Sequence, residues 1–207
     1  MPEYSRSNIK YIIQPNDIRQ MMKQANNLRD QALISILYLT GCRPSELLEI
    51  TREDITLGVA QNKNTKETYQ CIIFRIKTKK QRKGRFNVEK RSIYIQHDPR
   101  SMTQNAVLKQ RSITPRGEPI IDMAMSTVKY TIGKLSTRAL GSDKHLCPYN
   151  FRHTRFTLLA ERGESLQKIQ HIKGSADMRS VFPYLHARPV EVIVDDMGEE
   201  SHNIIVT

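Results

Sequence analysis

Pro148-Tyr-Asn-Phe-Arg-His-Thr154, Ile172-Lys-Gly-Ser175 and Val181-Phe-Pro-Tyr-Leu-His186 follow one another late in the chain. Tyr184 stands nine residues after Ser175 and thirty-two after Arg152. A second signal lies far upstream, Thr40-Gly-Cys-Arg-Pro-Ser-Glu-Leu-Leu48, which holds Arg43 and Glu46. Attack on a phosphodiester needs positive charge around the phosphate. Arginine suits that need, because its guanidinium stays charged and presents a planar fork to two oxygens. Arg43 and Arg152 are therefore the expected clamp, and Tyr184 the expected nucleophile. The blander readings are surface salt bridges and a core aromatic on an amphipathic helix. Arg43 lies between a core helix and a Pro-initiated helix, a poor place for a casual charge, and Phe182 would serve packing as well as Tyr184. Glu46, one helical turn beyond Arg43, is spaced to orient it by an ion pair.

Working outward, the charge balance points the same way. Lys and Arg outnumber Asp and Glu by 33 to 21, and the pI is near 9.8. Such a surplus favours a polyanion, nucleic acid before membrane, because neutralised phosphates release counterions. The alternative is a merely basic protein. Cys42, Cys71 and Cys147 are an odd set without metal-type spacing and read as reduced thiols. The first twenty residues are polar and mixed, and no apolar run approaches membrane-spanning length. A soluble protein working inside a cell, away from membranes, is expected.

The 207 residues suffice for one core with a small appendage. Residues 1–14 read as an extended lead-in, 15–187 as the folded domain and 188–207 as a tail with a further helix over 189–197. Pro15-Asn16-Asp17 caps a helix through about Asn27, with Ile18, Met21, Met22 and Ala25 on one face. A second helix spans Asp30–Thr40 and stops at Gly41; Pro44 starts a third, Ser45–Ile50. Tyr69–Lys77 and Arg91–Gln96 read as strands, Ile55–Val59 as a weaker one. Further helices are expected at about 101–111, 122–139, 151–162, 165–173 and 177–183, with Ser165 as an N-cap and Gly163 as a stop. The fold class is α+β, mostly α-helical, with a small antiparallel three-stranded sheet. From Arg75 to Arg91, nine of seventeen residues are basic and one is acidic. Lys79, Lys80, Arg82, Lys83 and Arg85 of this hairpin loop are the expected DNA-backbone contacts, which position without reading sequence.

These motifs resemble those of the tyrosine recombinases, the phage integrase family, over about residues 12–187 and in the manner of lambda-integrase-type catalytic domains. The family motifs appear as Gly41–Leu47, Tyr149–Thr154, Gly174-Ser175 and Tyr184. The resemblance implies that Tyr184 forms a 3′-phosphotyrosine link with DNA, freeing a 5′ hydroxyl that attacks a partner duplex. It implies a tetramer on two duplexes, joined through the tail after His186. It implies that a hairpin lysine protonates the leaving oxygen; Lys77 fits that role, with Lys79, Lys80 and Lys83 as rivals. No cofactor is implied, since the bond energy stays in the protein–DNA link, and no HExxH, DxD or Walker-type sequence points to a metal or ATP. Relatives usually carry an N-terminal helical domain that clamps the far face of the DNA. With Arg43 so near the start, that domain is expected to be absent and DNA affinity to be modest.

Two positions depart from the family pattern. Tyr149 replaces the usual His; it can donate to a phosphate oxygen, but with a reference pKa of about 10 it cannot act as a base at neutral pH. Tyr149 and Arg152, three apart at a helix start, are expected to face one point. His153 is a substitute base, although packing is its more usual role. Ser175 replaces His or Trp with a shorter donor, for which Lys173 or His171 would have to compensate. Both departures hint at a divergent viral or archaeal lineage. They also favour a second reading, a catalytically silent DNA-binding relative that occupies or regulates recombination sites. A type IB topoisomerase would share the chemistry but relax DNA without site preference, and a metal-dependent nuclease would fail in EDTA. The phenol of Tyr184 is poorly ionised at neutral pH, so the arginine field is expected to lower its pKa.

Overall fold

The computed structural model describes residues 11–61, 66–78, 90–175 and 177–187. Helix α2 (Leu28–Thr40) is the centre of the fold. Ala32 to Leu37, Leu39 and Thr40 are all buried, and a helix buried around most of its circumference must be covered on several sides. α1 (Pro15–Gln24), α4 (Met102–Ile113) and α6 (Pro148–Glu161) cover it, while α5 (Met125–Leu140) packs on α1. Asn27 caps α2 through Asp30 N at 2.8 Å, and Gly41 ends it at φ 61°, a left-handed conformation that glycine adopts without a Cβ penalty.

The three strands are β1 (Ile55–Gln61), β2 (Thr68–Lys77) and β3 (Lys90–Gln96), antiparallel in the order β1-β2-β3. Register puts Ile55, Phe74 and Ile93 in one row across the sheet. All three are buried, so a one-residue slip of any strand would turn its core side chains to water. The fold is thus mostly helical with a small three-stranded antiparallel sheet, as the sequence predicted.

Differences lie at element ends. α3 is the short turn Pro44–Leu47 rather than a helix to Ile50, because the chain tightens into i+3 bonds, with Ile50 N donating to Leu47 O at 3.1 Å. α6 begins at Pro148, three residues before the expected start. Its first turn accepts a proline that lacks an N–H, and Asn150 Oδ1 accepts from Cys147 N at 2.8 Å. After α7 (Leu166–Lys173) the chain forms a 3₁₀ segment, Met178–Ala187, with Pro183 inside it. Residues 11–14 carry no helix or strand, yet Ile13 is fully buried and its N–H donates to Thr154 Oγ1 at 3.0 Å. No helix among the described residues is long and apolar enough to cross a membrane. The hairpin residues Lys79 to Arg85 and the tail from 188 lie outside the described residues.

Leu33, with no exposed surface, tests the centrality of α2. Leu33→Ala is expected to lower unfolding free energy by about 2–5 kcal/mol, measured by urea titration.

Candidate active site

Helix α7 ends in a left-handed glycine, Gly174 at φ 61°. Gly174 N donates to His171 O at 3.0 Å and Ser175 N to Gln170 O at 3.3 Å, which satisfies two of the helix's orphan carbonyls. The next three carbonyls receive arginines from three different parts of the fold. Arg91 Nε, on β3, donates to Ile172 O at 2.8 Å. Arg152 Nη2, on α6, donates to Lys173 O at 2.6 Å. Arg43 Nη1, at the α2–α3 corner, reaches Gly174 O at 3.4 Å. Cations at a helix C-terminus also meet the negative end of its dipole.

Glu46 holds this cluster from the other side. Its carboxylate, wholly buried, pairs with Arg43 Nη1 at 2.6 Å and with Arg91 Nη2 at 2.8 Å. It also accepts from Arg43 N at 2.9 Å. Burial pushes the Glu46 carboxyl up, but Arg91 and Arg43 outweigh it and hold its pKa below the ordinary carboxylate value. Arg152 additionally donates Nη1 to Gly41 O at 2.7 Å. Burial, then repulsion from Arg43, lowers its pKa to about 10, so it stays charged at neutral pH. Two of its five N–H donors are engaged by these carbonyls, leaving three without a hydrogen-bond partner among the described residues.

Tyr184 is brought to the same place by the 3₁₀ segment. The residue is 7% exposed, and its ring packs 5.4 Å from the His153 ring and 5.8 Å from that of Phe156. Lys173 Nζ sits 4.8 Å from the Tyr184 ring centroid. Arg152 lowers the Tyr184 pKa as expected, but burial outweighs it and the net shift is upward.

The other sequence candidates divide. Lys77 is exposed at the end of β2, next to Thr78, whose Oγ1 lies 3.3 Å from Arg91 Nη1. Tyr149 is 52% exposed whereas Arg152, in the same helical turn, is 6% exposed. The Ser175 hydroxyl is engaged locally, donating to Asp177 O at 3.2 Å and accepting from Asp177 N at 3.4 Å. His171 is exposed. Cys42, fully buried, has its thiol pushed up to about 11 by burial and stays protonated beside the arginines.

Sequence reasoning left out Arg91. Its signal was the strand alternation, since Arg91, Ile93 and Ile95 share one face of β3 and Arg91 is 2% exposed. Gly174 is coupled to it: a Cβ there would fall 2.6 Å from Arg91 Nη1. Arg43, Arg152 and Tyr184, in this chain order, are the residues that the family motifs carry, and the sequence model of the phage integrase family matches residues 12–191.

The chain belongs to the phage integrase family. It is 30% identical over 170 residues to the tyrosine recombinase XerC of Bacillus licheniformis, covering 76% of this chain and 49% of that protein. It is 24% identical over 200 residues to XerD of Staphylococcus saprophyticus, covering 92% of this chain and 62% of that protein. The chain thus spans about half to three-fifths of the length of these relatives. The fold matches a crystal structure of the XerH site-specific recombinase bound to difH substrate, a pre-cleavage complex. The TM-score is 0.61 at 18% identity, over 83% of this chain and 47% of that one.

Within this integrase-family site, Arg91→Met leaves Glu46 short of a buried partner and is expected to cost about 3–5 kcal/mol of stability. The Glu46 pKa is depressed in the fold, so its contribution is present above the ordinary carboxylate pKa and is lost as pH falls through the folded value. Glu46→Gln should accordingly flatten the acid limb of a stability-against-pH curve, read from urea midpoints.

Proposed function

We propose that this chain cleaves and rejoins DNA as a site-specific tyrosine recombinase. The observation that carries the reading is the gathering of Arg43, Arg91 and Arg152 around the end of α7 with Tyr184 packed beside them. One carboxylate, Glu46, sits among those charges, so the cluster keeps an excess of positive charge suited to a phosphodiester. Relatives named as tyrosine recombinases and the likeness to a recombinase with its DNA substrate support it.

In this mechanism the scissile phosphate takes the N–H donors of Arg43 and Arg152 that the fold leaves open. Tyr184 Oη attacks phosphorus as its proton passes to water, and the bond to the 5′ oxygen breaks. That oxygen takes a proton from Lys77, at the strand end beside Thr78, or from a hairpin lysine. The product is a 3′-phosphotyrosine, and the free 5′ hydroxyl of the partner duplex reverses the step with strand exchange. Neither metal nor ATP enters. Tyr149 at the start of α6 is assigned to the phosphate as a hydrogen-bond donor, and so is Ser175 once its hydroxyl turns from the Asp177 carbonyl. Glu46 is assigned as the support of Arg43, and His153 to packing on Tyr184. Lys79, Lys80, Arg82, Lys83 and Arg85 are assigned to the DNA backbone. The working assembly is a homotetramer on two duplexes.

Covalent capture on nicked suicide duplexes, run in denaturing gels with EDTA present, tests this. Wild type is expected to form an adduct and Tyr184→Phe none. Arg152→Lys, which loses the planar fork, should form it roughly 10²–10³-fold more slowly. An adduct that persists in Tyr184→Phe would overturn the nucleophile. DNA binding without any adduct would favour the silent, site-occupying relative.

A further inference from the structure

Lys173 faces two ways. Its main-chain carbonyl accepts from Arg152 Nη2 at 2.6 Å. Its ammonium turns to the other side, hydrogen-bonds the Ser180 carbonyl and lies 4.8 Å from the Tyr184 ring centroid and 5.9 Å from that of Phe156. Phe156 also carries Arg152, with Cζ 4.9 Å from its ring centroid, and meets Tyr184 edge-on. A cation over an aromatic face is attracted by the ring quadrupole, more strongly when partly desolvated. Lys173 is therefore joined to both halves of the site, and the segment between Ser180 and Tyr184 spans about one 3₁₀ turn.

We propose that Lys173 is a positioning residue for Tyr184, fixing the distance between the arginine clamp and the nucleophile through its carbonyl on one side and its ammonium on the other. This rests on the reading of Tyr184 as nucleophile, and it replaces the expectation that Lys173 would serve the phosphate in place of Ser175. Among the described residues, the partners of the ammonium are the Ser180 carbonyl and two rings. Burial, then Arg152 and Arg43, lower its pKa to about 8, so it is still mostly charged at neutral pH. An alkyl side chain of the same length would fill the space but lose both the hydrogen bond and the ring attraction. Arginine would restore both.

The test uses the whole chain with Lys173→Met and Lys173→Arg on a nicked suicide duplex. Lys173→Met is expected to slow adduct formation at saturating DNA by about tenfold or more while DNA affinity stays within about twofold, below the loss of one charged phosphate contact. Lys173→Arg should recover most of the rate. A Lys173→Met protein with the wild-type rate, or one whose affinity falls as far as its rate, would overturn the proposal. A second readout needs no reaction: fluorotyrosine labelling, with the Tyr184 resonance assigned by its loss in Tyr184→Phe. Without DNA, that ¹⁹F signal should move toward the solvent-exposed tyrosines in Lys173→Met and stay in place in Lys173→Arg. An unmoved signal in Lys173→Met would also overturn it. Should wild type form no adduct at all, the nucleophile reading fails and the ¹⁹F shift alone decides whether Lys173 holds Tyr184.

Discussion

Three successive carbonyls at the end of one short helix organise this molecule. The glycine closure of α7 satisfies the carbonyls of Gln170 and His171 and leaves those of Ile172, Lys173 and Gly174 pointing outward. A buried carbonyl without a partner is costly. Arg91, Arg152 and Arg43 meet that demand from β3, α6 and the α2–α3 corner. The sheet, the central helix pair and the C-terminal segment are thereby tied to a single point.

The same arrangement solves an electrostatic difficulty. Three guanidinium groups in a partly desolvated space repel one another, and the lowered pKa of Arg152, from burial and then Arg43, records that tension. Carbonyl dipoles at the negative end of α7 offset it, and the Glu46 carboxylate bridging Arg43 and Arg91 offsets it further. Donors held this way would need little rearrangement to meet an anion, the condition under which electrostatic stabilisation is most effective. Gly174 belongs to the solution twice. Its positive φ closes the helix, and its missing Cβ makes room for the Arg91 guanidinium.

Tyr184 answers to a different balance. The arginine field acts on it in the expected direction, yet burial among His153, Phe156 and Lys173 dominates and raises its pKa. The phenol therefore stays protonated at neutral pH in this fold. Its position comes from packing against His153, Phe156 and Lys173.

Much of this was legible in the residues. Apolar periodicity marked α2 and Gly41 marked its end, alternation marked the strands, and the spacing of Arg43, Glu46, Arg152 and Tyr184 marked the family. Those features are local, or are fixed intervals along one chain, so a sequence carries them directly. Arg91 was visible only as a charged residue in register with Ile93 and Ile95. That it closes the site depends on β3 lying against α7, eighty-one residues away at the Ile172 carbonyl. Lys173 read as one cation at a helix end; its grip on the Tyr184 segment exists because the chain turns at Gly174 and returns over it. Tyr149 and Ser175 held the right intervals, but their side-chain directions follow from exposure and from the Asp177 turn. Sequence alone therefore determined the helices, the strands and the order of the motif residues. Which carbonyl each arginine caps, and whether burial or charge governs Tyr184, was decided by tertiary structure, because partners and desolvation arise only where distant segments meet.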